Sequence, residues 1–182
     1  MQVITGTARG RRLIPPEGSQ VRPTPDRVKE ALYNIIQFEV EGRSFLDLFA
    51  GSGQIGIEAL SRGAARAVFV DASKESAAVV QKNLQITGFG SRAQVYQTDA
   101  LDFLRCYDGR FDLAFLDPPY HSGLLEAVLP ALSQRMNRGG AILCEHPQDE
   151  ELPQEAGGFR AVRSYRYGKI LLTVFRHKEM TE

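Results

Sequence analysis

Phe45-Leu46-Asp47-Leu48-Phe49-Ala50-Gly51-Ser52-Gly53-Gln54-Ile55-Gly56-Ile57-Glu58-Ala59-Leu60 reads as a short buried strand, a glycine turn and a helix with apolar positions at Ile55, Ala59 and Leu60. At Gly51, Gly53 and Gly56 the missing side chains let backbone pass close to a ligand. The helix that follows aims its free N–H groups at whatever lies over the turn, so a nucleotide-like ligand is the first expectation.

Two ligands fit this stretch. Gly51, Gly53 and Gly56 match the dinucleotide fingerprint G-x-G-x-x-G, and Asp71 closes the next apolar run, where a ribose-binding acid belongs. Against a dinucleotide stands Asp47, whose carboxylate near the strand end would repel a pyrophosphate in a poorly solvated crevice. Beside S-adenosylmethionine, with its cationic sulfonium and amino groups, the same carboxylate is in place. The methyl donor is the preferred ligand.

Outward from that stretch the elements alternate. Strands are expected over 44–48, 66–70, 93–97, 111–116 and 141–144, with helices over 53–62, 73–87, 100–105 and 124–134. The fifth strand is expected to begin after an Arg138-Gly139-Gly140 turn. The near-continuous apolar run Phe111–Leu116 suits burial on both faces of a parallel sheet. Such βαβ alternation implies a doubly wound α/β fold with ligands at the carboxyl ends of the strands. Phe159–Tyr167 and Ile170–Arg176 flank Gly168 as a closing antiparallel hairpin. Before the core, Gln2-Val3-Ile4 and Arg12-Leu13-Ile14 surround a Gly6–Gly10 turn as a small basic β-hairpin over residues 1–20, with the main domain over 21–182. Thr24-Pro25-Asp26 opens a helix, with the threonine hydroxyl as cap. Val28, Ala31, Leu32, Ile35 and Ile36 form its apolar face and leave Arg22, Arg27 and Lys29 off it.

With 182 residues, the chain is long enough for one domain with a real core, and its 22 basic and 22 acidic residues cancel. The charge is unevenly spread. Arg9, Arg11, Arg12, Arg22, Arg27 and Lys29 crowd the first 29 residues against Glu17 and Asp26, and residues 157–178 hold six basic residues and no acid. The stretch from Glu145 to Glu155 is acidic. Basic patches at both ends suit a polyanion. Cys106 and Cys144 lack metal or redox spacing, and His121, His146 and His177 are scattered, so no metal site is expected. No signal-peptide pattern and no apolar run of membrane-spanning length is found, so a soluble cytoplasmic protein is the expectation. A monomer is expected as well.

Asp47, Asp71, Asp99 and Asp117 each close a predicted parallel strand, which places four carboxylates on one crevice. Crowded carboxylates repel unless something cationic or rich in donors lies among them. Asp47 would lie near the methionine amino group, Asp71 would accept from the ribose hydroxyls and Asp99 from the adenine amino group. Asp117-Pro118-Pro119-Tyr120 follows the fourth strand. Its prolines remove two N–H donors and stiffen the loop, leaving carbonyls and the Asp117 carboxylate to face an exocyclic NH2 on a planar base, while Tyr120 can stack on the ring. Acceptors held against an amino group draw its lone pair out of conjugation and aim it at a methyl carbon.

With both motifs in place, the chain resembles the class I methyltransferases that use S-adenosylmethionine, and more closely the RsmD family of 16S ribosomal RNA guanine-N2 methyltransferases. The matching stretches are Ile4-Thr5-Gly6-Thr7-Ala8-Arg9-Gly10-Arg11-Arg12-Leu13, Arg22-Pro23-Thr24-Pro25-Asp26-Arg27-Val28-Lys29-Glu30-Ala31-Leu32, Asp47-Leu48-Phe49-Ala50-Gly51-Ser52-Gly53 and Asp117-Pro118-Pro119-Tyr120. Gly6-Thr7 departs from the Gly-Gly expected in that turn. The resemblance implies a Rossmann-like fold with a mostly parallel sheet of seven strands flanked by helices. It implies a catalytic set of Asp117, Pro118, Pro119 and Tyr120, and a cofactor set of Asp47, Phe49, Ala50, Gly51, Gly53, Asp71, Ala72, Asp99 and Ala100. Arg9, Arg11, Arg12, Arg22, Arg27 and Tyr120 would engage the RNA, within the small ribosomal subunit or an assembly intermediate. The rivals are a DNA adenine-N6 methyltransferase, which uses D-P-P-Y but needs a target-recognition region with little chain to build it, a nicotinamide-dependent oxidoreductase, and an inactive RNA-binding scaffold.

Overall fold

In the computed structural model, which describes residues 1–18 and 24–181, one twisted sheet carries helices on both faces. In chain order the elements are α1 (Asp26–Ile35), β1 (Ser44–Asp47), α2 (Gln54–Ser61), β2 (Arg66–Asp71), α3 (Lys74–Thr87), β3 (Ala93–Gln97), α4 (Ala100–Cys106), β4 (Phe111–Leu116), α5 (Leu124–Ser133), β5 (Met136–Pro147), β6 (Glu155–Ala156), β7 (Phe159–Tyr167) and β8 (Ile170–His177). The strands lie in the order β3-β2-β1-β4-β5-β8-β7-β6. The first five of these are parallel, and β8, β7 and β6 add antiparallel. The sheet therefore has eight strands rather than seven, the extra one being the two-residue edge strand Glu155–Ala156. A pair so short carries no alternation that a sequence could display.

The chain leaves β1 toward β2 and β3, then crosses back to put β4 on the other side of β1. That reversal opens a crevice between the carboxyl ends of β1 and β4, the usual ligand position in such sheets. One face of the sheet packs Val28, Leu32, Ile57, Leu60, Val80 and Leu84 from α1, α2 and α3, and the other packs Phe103, Leu104, Leu125, Val128 and Leu132 from α4 and α5. Both faces of β1 and β4 are thus covered, which is why Phe111–Leu116 is almost uniformly apolar.

Several expectations are revised. β5 does not start after the Gly139-Gly140 pair but runs through it from Met136 to Pro147, with a register shift against β4 between Phe111 and Leu113. A Cβ on Gly140 would lie 2.3 Å from the Asp112 carbonyl oxygen, so the glycine serves close strand approach at a bulge and not a turn. Likewise Gly53 and Gly56 face protein. A Cβ on Gly56 would lie 2.4 Å from the Phe69 ring, and one on Gly53 3.2 Å from Val80, so these glycines seat α2 against β2 and α3. Thr24 does not cap α1 with its side chain; Pro25 is the cap residue and the Thr24 hydroxyl turns toward Asp117. Lys29, expected off the apolar face, is fully buried, with Nζ donating to the Gln2 carbonyl at 2.7 Å and paired with Glu58 at 3.6 Å.

Residues 1–14 close through a single antiparallel bridge, Gln2–Arg12, instead of two strands, and are fastened to the helices. The Glu58 carboxylate accepts the Ile4 and Thr5 N–H groups at 2.9 Å each. Asn83 on α3 exchanges hydrogen bonds with both backbone groups of Ile14 and donates to the Ser52 carbonyl in the glycine turn. Val3, Ala8 and Leu13 are buried in the same core as α1 and α2.

Candidate functional site

A cleft of about 1080 Å³ opens at the carboxyl ends of the parallel strands. Asp47, Asp71, Asp99 and Asp117 all line it, as do Phe49, Ala50, Gly51, Ala72, Ala100, Pro118, Pro119 and Tyr120. The strand-end rule thus brings the four acids together. Gly53 lies just behind the wall and supplies a left-handed backbone at the start of α2, with φ of 78°.

The acids are held differently. Asp71 accepts the Gly51 N–H on one oxygen and the Ser73 N–H on the other, both at 2.9 Å, which fixes its carboxylate across the glycine turn. Asp99 spends Oδ1 on the N-terminal N–H groups of Leu101 and Asp102, at 2.8 and 3.2 Å, and so caps α4 while facing the cleft. Asp47 is 1% exposed and, among the described residues, accepts only the Gly56 N–H, at 3.0 Å. Burial pushes its carboxyl up to about 7, the Gly56 N–H opposes this, and Asp71 adds to it.

Asp117 stands where β4 ends, with the Thr24 hydroxyl 3.4 Å from its Oδ2. Removal from water, with the charges of Glu145 and Asp47 nearby, holds this carboxyl well above the usual range, against the Thr24 hydroxyl. The loop beyond it is pinned. Ser122 Oγ donates to the Pro119 carbonyl at 2.6 Å, His121 takes a left-handed φ of 55°, and the His121 N–H donates to Glu150 at 3.1 Å. A non-glycine residue in that conformation is uncommon and marks a loop fixed by its surroundings.

Glu145 is the site residue that sequence reading missed. It lies near the end of β5, is 3% exposed, lines the cleft and accepts the Tyr120 hydroxyl on Oε1 at 3.4 Å. Burial raises its carboxyl to about 7, against the Tyr120 and Thr24 hydroxyls. The signal was present: Cys144-Glu145 repeats the pattern of an apolar strand closed by an acid. Gln54 and Thr24 line the cleft as well, linked by the Gln54 amide donating to the Thr24 carbonyl at 3.2 Å.

The described basic residues lie outside the cleft. Arg9, Arg11, Arg12 and Arg27 are exposed, and Arg22 falls outside the described residues. Arg27 reaches the turn between β7 and β8, where a Cβ on Gly168 would sit 3.5 Å from its guanidinium. Arg166 and Lys169 are exposed at that turn and the adjoining Ile170 lines the cleft, so residues from both basic patches meet at its rim. Among the described residues no group of three or more His, Cys, Asp or Glu is arranged to hold a metal ion, and no helix is long and apolar enough to cross a membrane.

Residues 1–176 match a family described as conserved hypothetical protein 95. The ribosomal RNA small subunit methyltransferase D of Haemophilus influenzae is 38% identical over 157 residues, covering 84% of this chain and 81% of the relative. The protein of the same name from Escherichia coli is 31% identical over 184 residues, covering 100% and 92%. A solved structure of the Escherichia coli protein yhhF superimposes with a TM-score of 0.87 at 31% identity, over 97% of each chain.

Proposed function

This chain belongs to the RsmD family, and from that premise we propose that it transfers a methyl group from S-adenosylmethionine to the N2 amino group of a guanine in 16S ribosomal RNA. The observation that carries this reading is the set of under-donated carboxylates in one cleft. Asp47 and Asp117 are raised by burial and by their acidic neighbours, and both line a crevice floored by a glycine turn. A ligand with two cationic centres and a substrate that offers N–H groups supply what those acids lack. The Gln54 Oε1, buried and without a hydrogen-bond partner among the described residues, is a further acceptor in the same wall. A dinucleotide would bring anionic phosphates to Asp47, at a like-charge penalty.

Asp47 would hold the amino acid end of the donor, Asp71 the ribose hydroxyls, and Asp99 with Ala100 the adenine. Phe49, Ala50, Gly51 and Ala72 line the cleft and would contact the donor, with Gly53 shaping the turn behind them. When bound, S-adenosylmethionine supplies an electrophilic methyl group. Tyr120 stacks on a guanine drawn out of its RNA surroundings, a displacement that costs a few kcal/mol. The Asp117 carboxylate and the Pro118 carbonyl accept from the two N2 hydrogens and turn the nitrogen lone pair toward the methyl carbon, while Pro119 keeps the loop stiff. Held there, the donor would give its methyl to N2 and be left as a neutral thioether. The extra proton on N2 passes to Asp117, whose raised pKa makes it a competent acceptor. Alignment of the two reactants supplies roughly 7–11 kcal/mol of the barrier reduction.

Residues 1–20, with Arg9, Arg11 and Arg12, form the basic extension in this reading, and 21–182 the transfer domain. Arg22 and Arg27 belong to the first residues of that domain. Together with the rim basics they hold phosphates of the small subunit and set the protein's register on it. The protein acts as a monomer in the cytoplasm.

The test is transfer of labelled methyl from S-adenosylmethionine, side by side, to naked 16S ribosomal RNA, unmethylated small subunits and duplex DNA. N2-methylguanine on the RNA or the subunits is expected. Label on DNA adenine would replace the substrate while keeping the D-P-P-Y chemistry, and no transfer with the donor bound would refute the reading.

A further inference from the structure

Glu145 has a place in the fold that the transfer chemistry above does not use. Leu116 and Cys144 are register partners on the parallel strands β4 and β5, so Asp117 and Glu145 follow side by side at adjacent strand ends. Glu145 Oε1 meets the Tyr120 hydroxyl, while Oε2 is sealed from solvent and accepts no hydrogen bond among the described residues. A buried carboxylate oxygen without a donor is costly, and such an atom in a cleft wall is satisfied when a ligand brings an N–H. Two carboxylates so placed also repel each other. Two donors arriving together on one rigid edge relieve both.

The edge of guanine that carries the N2 amino group also carries N1–H directly beside it. Adenine and 2-aminopurine have a bare, accepting N1 instead. Resting on the guanine-N2 reading given above, we propose that Glu145 is the base-specificity residue: its carboxylate accepts the N1–H of the guanine whose N2 amino group Asp117 holds. A purine with a bare N1 would turn a lone pair toward the Glu145 carboxylate, an acceptor against an acceptor. Tyr120 then has two tasks, to stack on the ring and to steady Glu145 through its hydroxyl.

The test uses small subunits reconstituted with 16S ribosomal RNA that carries either guanine or 2-aminopurine at the position the wild-type protein labels. 2-Aminopurine keeps the N2 amino group and loses N1–H. The wild-type protein is expected to methylate guanine at least about 10²-fold faster, since a site built around a substrate N–H rejects the analogue that lacks it. In Glu145→Gln the amide can donate to a bare N1. Its preference for guanine should shrink by about tenfold or more, through a slower guanine rate and a faster 2-aminopurine rate, with S-adenosylmethionine affinity unchanged and the melting temperature not lowered. A preference that is the same in wild type and Glu145→Gln, with both still methylating guanine, overturns the assignment. So does a Glu145→Gln protein slowed equally on the two bases, which is the signature of a general positioning role. Failure of the wild type to label guanine at all would instead refute the parent reading, and this one with it.

Discussion

Two buried acids, Glu58 on α2 and Glu145 on β5, differ in what surrounds them. Glu58, on α2, is fully buried and completely served: the N–H groups of Ile4 and Thr5 at 2.9 Å, Arg62 Nε at 3.0 Å and Lys29 Nζ at 3.6 Å. Glu145 is nearly as deep and, among the described residues, meets only hydroxyls, with one oxygen left over. Burial raises Glu145 to about 7. The contrast separates two uses of a buried charge. Where the chain supplies every donor, the carboxylate fastens one segment to another. Where the chain withholds them, in a cleft, the carboxylate awaits a ligand.

The largest expected effect breaks the first half of that contrast. Glu58→Ala strands the Lys29 ammonium and two backbone N–H groups in the core, and should lower unfolding free energy by about 3–5 kcal/mol in urea titrations. A loss near that of an ordinary surface substitution would show that the N-terminal segment docks without Glu58. Asp117→Ala tests the second half. Methyl transfer should fall by roughly 10²–10³-fold, the scale of losing one preorganised polar contact to a reacting group, while S-adenosylmethionine binding stays nearly intact. Equal loss of binding and transfer would place Asp117 in the donor site instead. Smaller again is Tyr120→Ala, expected to weaken engagement of the RNA by about 1–3 kcal/mol if the ring is a stacking platform. Unchanged RNA affinity and rate would remove that role.

The strand alternation and the four aspartates were legible because both depend on local pattern: an apolar run, an acid, then a helix. Glu145 obeys the same rule, but the apolar run ends at Cys144 and the glutamate heads an acidic stretch, so the sequence alone closes the fifth strand before it. The strand in fact continues to Pro147, carried by antiparallel pairing with β8, whose partners lie about 25 residues on. Lys29 was misplaced for a related reason. Its buried partners, the Gln2 carbonyl and the Glu58 carboxylate, are distant in sequence, and the one local partner, Asp26 at 3.9 Å, is exposed, so helical spacing alone gives no hint that a lysine beside the apolar stripe is enclosed. The glycines were recognised as necessary, but a one-dimensional motif does not distinguish closeness to a ligand from closeness to Phe69.

The central claim, that the cleft acids are poised for a cationic ligand, has a direct thermodynamic consequence. Asp47 is raised from 3.8 to about 7 in the folded protein. Between those values the native state holds a proton that the unfolded chain has released, so this group's effect on stability worsens as pH rises through the window and levels off above it. A bound cation favours the ionised form and must expel that proton. Calorimetric titration of the protein with S-adenosylmethionine at about pH 6, where the ligand's own amine is already protonated, should therefore report net proton release when buffers of different ionisation enthalpy are compared. The release should shrink in Asp47→Asn. Proton uptake, or none, in the wild-type protein at that pH would contradict the account.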